Sequence, residues 1–228
     1  MITLYIATRN SHKVGEISAI LGSQFACRAL TNFPGAPAVI EDAPTFAGNA
    51  TKKALSLANW LANSGKASSG FVLADDSGLE VDALDGAPGV HSARFALSSA
   101  SGSGNARDVD NNAKLLRLLH NVPTDKRTAR FHCVIALAPV LLRSHESASP
   151  VCYSDEIELQ TETFEGTCEG RILDRPRGNA GFGYDPLFLP DGQEATLAEL
   201  GEQIKNRISH RALALSKLKA RFSIEGLP

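Results

Sequence analysis

The sequence predicts an α/β fold: a mixed β-sheet with flanking helices, in a single domain over residues 1–228. Three observations carry the prediction. Thr3 to Thr8 is a short β-forming run that passes through a polar loop into residues at helical spacing. Phe71-Val72-Leu73-Ala74 is fully apolar, the composition of a strand covered on both faces. Several strong strands then follow one another in the second half, which a regular βαβ repeat does not contain. With 228 residues, 43% of them hydrophobic, the chain suffices for one large domain or two tightly packed lobes.

After the first strand, Val14, Ile17, Ile20 and Leu21 mark a helix that Asn10 or Ser11 can cap. Leu30 to Pro44 is rich in Pro and Ala and reads as a loop with room for one short strand. Asn49 to Leu61 reads as a helix with Ala50, Ala54, Leu57, Ala58 and Leu61 on one face, ended by Ser64-Gly65. Ser68-Ser69-Gly70 is a surface turn. The apolar strand from Phe71 is expected to stop at Asp75-Asp76-Ser77-Gly78, with Leu79 to Leu84 as a second strand. Ser98 to Gly104 is a mobile low-complexity loop, and Asp108 to His120 a helix. Arg130 to Pro139, Val151 to Leu159 and Phe164 to Leu173 read as strands, with Leu141 to Pro150 as a hairpin connection. Helical pattern resumes at Thr196, and Ile208, Ala212, Leu215 and Phe222 give the last helix its apolar stripe.

Composition excludes several classes. The formal net charge is −2 and charged residues make up 21%, which argues against nucleic acid as the main partner. No apolar run reaches membrane-spanning length, and Met1 to Ile6 lacks the pattern of a signal peptide. Cys27, Cys133, Cys152 and Cys168 are scattered without a C-x-x-C pair, which disfavours both a disulfide framework and a zinc site. A cytoplasmic protein with reduced cysteines is the expectation.

Three segments carry chemistry. Asp75-Asp76-Ser77-Gly78 places two carboxylates where a buried strand is expected to end, at the edge where ligand crevices of open α/β sheets lie. Adjacent like charges raise one pKa unless a cation intervenes, and a hard divalent ion such as Mg²⁺ suits carboxylate oxygen. The plain alternative is a solvated turn with Gly78 at positive φ. The opening strand–loop–helix has the form of an anion site: free N–H groups, the positive end of a helix dipole, the donors Thr8, Asn10 and Ser11, and the charge of Lys13. It is not a Walker loop. Gly178 to Pro186 is dense in glycine and aromatics. Read as extended, it sets Phe182 and Tyr184 on one side as a platform for a base, with Asp185 beside them; read as a tight turn, it packs its aromatics into the core. Lys205, Arg207, His210 and Arg211 crowd the start of the last helix, a face that is either solvated or matched to a polyphosphate.

Taken together and in this order, the segments resemble the inosine triphosphate pyrophosphatase family, the non-canonical purine nucleoside triphosphate pyrophosphatases. The matching stretches are Ile6 to Lys13, Leu73 to Leu79, Gly86 to Arg94, Arg130 to Val134, Gly181 to Pro186 and Ile208 to Arg211. The resemblance implies an elongated two-lobed structure with the nucleotide in the cleft between lobes, and a homodimer. It implies that Thr8, Arg9, Asn10, Ser11, His12 and Lys13 bind the triphosphate. It makes Asp76 the proton acceptor and Mg²⁺ ligand, and Ser77 a substrate contact. Phe182, Gly183, Tyr184 and Asp185 correspond to the base-binding segment, and Lys205, His210 and Arg211 to further nucleotide contacts. Two positions depart from the family pattern. Gly48 stands where a glutamate often helps hold metal, so that Glu41 or Asp42 is left to supply the charge; Arg9 stands where the loop commonly has glycine.

The implied reaction hydrolyses ITP, dITP or XTP to the monophosphate and pyrophosphate. Mg²⁺ bridges phosphate oxygens and Asp76, and a water activated by Asp76, with Asp75 nearby, attacks the α-phosphorus. Lys13 and Lys205 neutralise the leaving pyrophosphate. Arg211, a donor only, suits the O6 acceptor of hypoxanthine and xanthine and not the amino group of adenine; His210 is the other candidate reader. Rival readings are a pyrophosphatase of modified pyrimidine nucleotides and a nucleotide-binding regulator without turnover.

Overall fold

The structure is a computed structural model that describes residues 1–97, 104–141 and 160–224. The described strands form one six-stranded mixed sheet in the order β2-β1-β3-β4-β5-β6. Strand β1 (Ile2–Ile6) lies parallel to both β2 (Phe25–Ala29) and β3 (Phe71–Val81), whereas β5 (Glu162–Ile172) and β6 (Phe188–Pro190) are antiparallel. Strand β4 (Thr128–Pro139) lies between β3 and β5. The helices are α1 (Ser11–Leu21), α2 (Phe46–Asn63), α3 (Asp108–Leu118), α4 (Gly201–Ile208) and α5 (His210–Ile224). The chain divides into two compact units, one of residues 1–76, 134–165 and 214–228, the other of residues 77–133 and 166–213. The division falls inside β3, between Asp76 and Ser77.

In the first unit, α1 starts where Asn10 caps it: the side chain accepts from the amides of His12 and Lys13. Helix α2 starts at Thr45, whose side chain accepts from Gly48 N. The stripe expected on α2 is the one buried, with Ala50, Ala54, Ala58 and Leu61 fully covered. The core also contains Leu4, Ile6, Ile17, Leu21, Val72 and Leu73. The short strand expected within Leu30 to Pro44 lies just before it, at Phe25–Ala29; Leu30–Asn32 is a single 3₁₀ turn.

The largest correction concerns β3. It does not stop at Asp75 but runs unbroken from Phe71 to Val81, with Gly78 outside the left-handed region. The two carboxylates therefore point to opposite faces of the sheet. Each meets a lysine of the first unit there, Lys13 on Asp75 and Lys53 on Asp76. Neutralised charges let a strand continue where bare ones would force an exit to water.

In the second unit, one cluster contains Leu79, Val81, Leu115, Phe131, Ile172, Tyr184, Leu187 and Phe188. The region from Gly178 is not extended. Gly178, Gly181 and Gly183 all have positive φ, and the segment folds into turns. Helical pattern resumes at Gly201 rather than Thr196, and it is broken at Ser209, which is extended (ψ 155°). The Ser209 hydroxyl accepts from Ala212 N, so a cap separates Ile208, at the end of α4, from the stripe of α5. The expected strand Val151–Leu159, the loop 98–103 and residues 142–150 of the expected hairpin lie outside the described residues.

Candidate active site

The first unit contains an acidic cluster held by lysines. Asp76 Oδ1 lies 3.0 Å from Lys53 Nζ, which also donates to Glu41 Oε2 at 2.8 Å and to the Asp75 carbonyl at 2.9 Å. Burial drives the Asp76 carboxyl up to about 6, against the pull of Lys53 and Lys13, and the charge of Glu41 adds to the rise. Glu41 behaves oppositely: burial opposes its charge, but Lys53 outweighs it and the pKa is lowered. Lys53 is held above its ordinary value, since Asp76 and Glu41 overcome its own burial. The second Asp76 oxygen, Oδ2, is buried and has no hydrogen-bond donor among the described residues.

Of the two acids left to supply charge in place of Gly48, Glu41 is the one drawn into this cluster. Asp42 pairs with Lys52 on the surface. A Cβ on Gly48 would stand 2.8 Å from the Ala43 side chain, so the loop carrying Glu41 occupies the space a glutamate there would need. Asn49 fixes that loop: its amide oxygen accepts from Ala43 N at 2.9 Å and its nitrogen donates to Ala43 O at 3.3 Å.

In the loop before α1, Thr8 Oγ1 accepts from Asn10 N at 3.2 Å and Arg9 donates to Ala36 O at 3.3 Å. Ser11 and His12 are exposed. Two of the helix amides expected to meet an anion are already engaged by Asn10.

The second unit, taken by itself, contains an aromatic and basic cluster. The four basic residues do not form one solvated helix face: Lys205 and Arg207 belong to α4, Arg207 is exposed, and Lys205, His210 and Arg211 are almost wholly buried. Lys205 Nζ lies 4.7 Å from the centre of the half-buried Phe182 ring, and the Arg211 guanidinium carbon 5.8 Å. Arg211 also donates to Ser77 Oγ at 3.0 Å. Asp185 Oδ2 is engaged within the protein: it accepts from Lys205 at 2.6 Å and from Phe182 N at 2.9 Å. A Cβ on Gly181 would meet that oxygen at 2.1 Å. Tyr184 does not stand beside Phe182. It is buried, donates to Ser92 O at 2.9 Å, and has its phenol pKa raised by burial first and the charge of Asp108 second. The His210 ring stacks on Phe131 at 4.8 Å.

The geometry thus groups Asp76, Glu41 and Lys53, with Lys13 on Asp75, in one unit. It groups Ser77, Phe182, Asp185, Lys205 and Arg211 in the other. Tyr184 and His210 are set into packing. Lys53 was missed from the sequence, although a signal was present: it falls between Ala50 and Leu57 at helical spacing, so it lies on the apolar face of α2, where a lysine needs an anionic partner.

A family model described as the Ham1 family matches residues 4–221. This chain belongs to the Ham1 family. A dITP/XTP pyrophosphatase of Geobacter sulfurreducens is 46% identical over 228 residues, all of both chains. One of Desulforamulus reducens is 47% identical over 94% of this chain and 92% of its own. Among solved structures, a HAM1 protein from Coxiella burnetii superposes with a TM-score of 0.74 at 35% identity, covering 98% of this chain and 99% of that one. A nucleoside-triphosphatase/dITP/XTP pyrophosphatase from Mycobacterium abscessus gives a TM-score of 0.65 at 34% identity, covering 95% and 98%.

Proposed function

We propose that this Ham1-family chain hydrolyses non-canonical purine nucleoside triphosphates, ITP, dITP and XTP, to the monophosphate and pyrophosphate. The names of its relatives support the substrate class, and one observation supports the chemistry: a buried carboxylate, Asp76, raised to about 6 and with one oxygen lacking a donor. A base of that pKa takes a proton near neutral pH, the condition under which general-base catalysis is most effective.

The residues fit a hard divalent cation. A buried carboxylate oxygen without a donor, with a second carboxylate at hand, is the ligand set Mg²⁺ accepts when phosphates and waters complete its shell. Asp76 and Glu41 would hold it, and bound Mg²⁺ would supply charge neutralisation at the phosphates. Asp76 takes the proton of the attacking water. Lys53 keeps Asp76 and Glu41 charged and oriented. Lys13 meets phosphate at the α1 N-terminus. We assign Lys205 to the base end rather than the leaving pyrophosphate, because Asp185 holds it across Phe182. Phe182 stacks the base and Arg211 donates to O6.

A homodimer is the assembly that the family resemblance suggests, and the cytoplasm is the default location for a chain with scattered, reduced cysteines. No described helix is long and apolar enough to cross a membrane. The test is pyrophosphate release over ITP, dITP, XTP, ATP, GTP, dUTP and dTTP, with Mg²⁺ and with EDTA. Pyrophosphate and monophosphate are expected in one step from the first three. Orthophosphate with a diphosphate, or preference for the pyrimidines, would overturn the proposal.

A further inference from the structure

Helix α3 lies outside the groups assigned so far, yet two of its side chains, one turn apart, grip a single residue of the base-facing turn. Asp108 Oδ2 accepts from Gly183 N at 2.6 Å, and Asn112 Nδ2 donates to Gly183 O at 3.0 Å. Residues four apart share one face of a helix, so the pair presents an acceptor and a donor together, matched to both backbone groups of one residue. Gly183 has φ +64°, a conformation that the chain does not favour unaided.

We propose that Asp108 and Asn112 are positioning residues that fix the Gly183 backbone and thereby set the Phe182 ring against a bound purine. The inference rests on the reading of Phe182 as the base platform. Among the bonds that hold the turn, three bear on Phe182 to Tyr184 through side chains: Phe182 N to Asp185, the Tyr184 hydroxyl to Ser92 O, and the α3 grip on Gly183; Lys205 on Asp185, and Ala198 N and Arg177 N on the Asp185 and Pro186 carbonyls, hold the residues that follow. The first ties the turn to itself, and the second anchors the residue after Gly183. Among the described residues, only the third holds Gly183 itself, directly beside Phe182. Packing does not replace it, because α3 and the turn both line a cavity of about 390 Å³, with Val109 and Leu116 on the helix and Gly181 to Gly183 on the turn. Apolar contact there is incomplete, so polar bonds define the spacing.

The two contacts differ in what they tolerate. Asp108→Asn keeps an acceptor for Gly183 N and is expected to behave nearly as the parent. Asn112→Asp turns a donor into an acceptor facing the Gly183 carbonyl, and Asn112→Ala removes the donor without adding charge and with good helix propensity.

The experiment compares affinity for IMP, which carries the base, with affinity for inorganic pyrophosphate, which does not. For Asn112→Asp and Asn112→Ala the dissociation constant for IMP should rise about tenfold, as for one lost hydrogen bond at a fixed site, with pyrophosphate affinity unchanged. In turnover, KM for ITP rises while kcat is largely kept. Equal weakening of both ligands together with a lower Tm would mean a merely structural helix contact and would overturn the inference. Unchanged IMP affinity would overturn it too. Phe182→Ala separates the two levels: if it weakens IMP binding and the Asn112 variants do not, only the positioning role fails; if it does not, the base-platform reading fails with it.

Discussion

Replacing Asp76 by Asn should abolish turnover and stabilise the metal-free protein. In the folded chain the carboxyl titrates at about 6, against an ordinary 3.8. Between those values the native state holds a proton that the unfolded chain has released. Since the slope of unfolding free energy with pH follows protons bound unfolded minus protons bound native, stability falls as pH rises through that window. Above about pH 6 the cost of burying the charge is fully present. At about 1.4 kcal/mol per pKa unit it reaches about 3 kcal/mol. Asn keeps the shape and removes the charge, and Lys53 retains Glu41 as its partner. For a chain of this length 1 kcal/mol moves Tm by roughly 2–4 °C, so a rise of about 6–12 °C is the upper range in EDTA at pH 7.5. The assay is thermal unfolding of parent and variant in EDTA from pH 4 to pH 8, with pyrophosphate release measured alongside. The gain should shrink to a small fraction of that at pH 4, where the native carboxyl is protonated and the unfolded one, with its ordinary 3.8, is part-way to protonation, and activity should fall by roughly 10²–10⁴. A Tm at pH 7.5 equal to or below the parent's, or a gain independent of pH, would refute the reasoning.

Other perturbations probe the remaining groups. Lys53→Met removes the main charge holding Asp76 down, so the acidic limb of the kcat/KM profile for ITP should move to higher pH; an unmoved limb would show that Lys53 does not tune the base. Asn49→Ala frees both backbone groups of Ala43 and loosens the loop bearing Glu41, so half-maximal activity should need more Mg²⁺, at a loss of about 1–3 kcal/mol of stability measured by urea unfolding. Arg211→Ala should depress ITP turnover far more than ATP turnover, since ATP already leaves a donor facing a donor; parallel assays showing an equal fall would place Arg211 on phosphate instead. Gly181→Ala forces a Cβ into the Asp185 carboxylate, and IMP affinity should drop with the Lys205–Asp185 pair displaced.

What the sequence revealed followed how local each determinant is. The cap at Asn10, the α2 stripe and the apolar run from Phe71 are periodic or short-range, and each stands in the structure. The continuity of β3 was not legible, because its conditions lie far along the chain. Lys13 is 62 residues from Asp75 and Lys53 is 23 from Asp76. Alternating aromatics suggested an extended platform at Phe182 and Tyr184; three glycines at positive φ decided otherwise. Lys205 and Arg211 read equally as a solvated face or as polyphosphate partners, because sequence shows neither the Asp185 carboxylate nor the Ser77 hydroxyl that receives them. The nucleotide contacts proposed for these residues rest on the family pattern. The α3 grip on Gly183 spans 75 and 71 residues and carried no local sign.

Back-to-back carboxylates on one strand also act as a proofreading device during folding. Apolar runs pair almost as well one residue out of step, and the run from Phe71 to Ala74, buried on both sides, offers little protest against such a slip. Asp75 and Asp76 remove that ambiguity. In the observed pairing, with Ile6 opposite Leu73, each acid arrives at its own lysine. Shifted by one, both acids turn to the wrong face, and buried charges are left without their cations. The doublet to which the proposed chemistry is assigned thus also penalises misaligned strands, so insertions or deletions between Phe71 and Asp76 should fail at folding before they fail at catalysis.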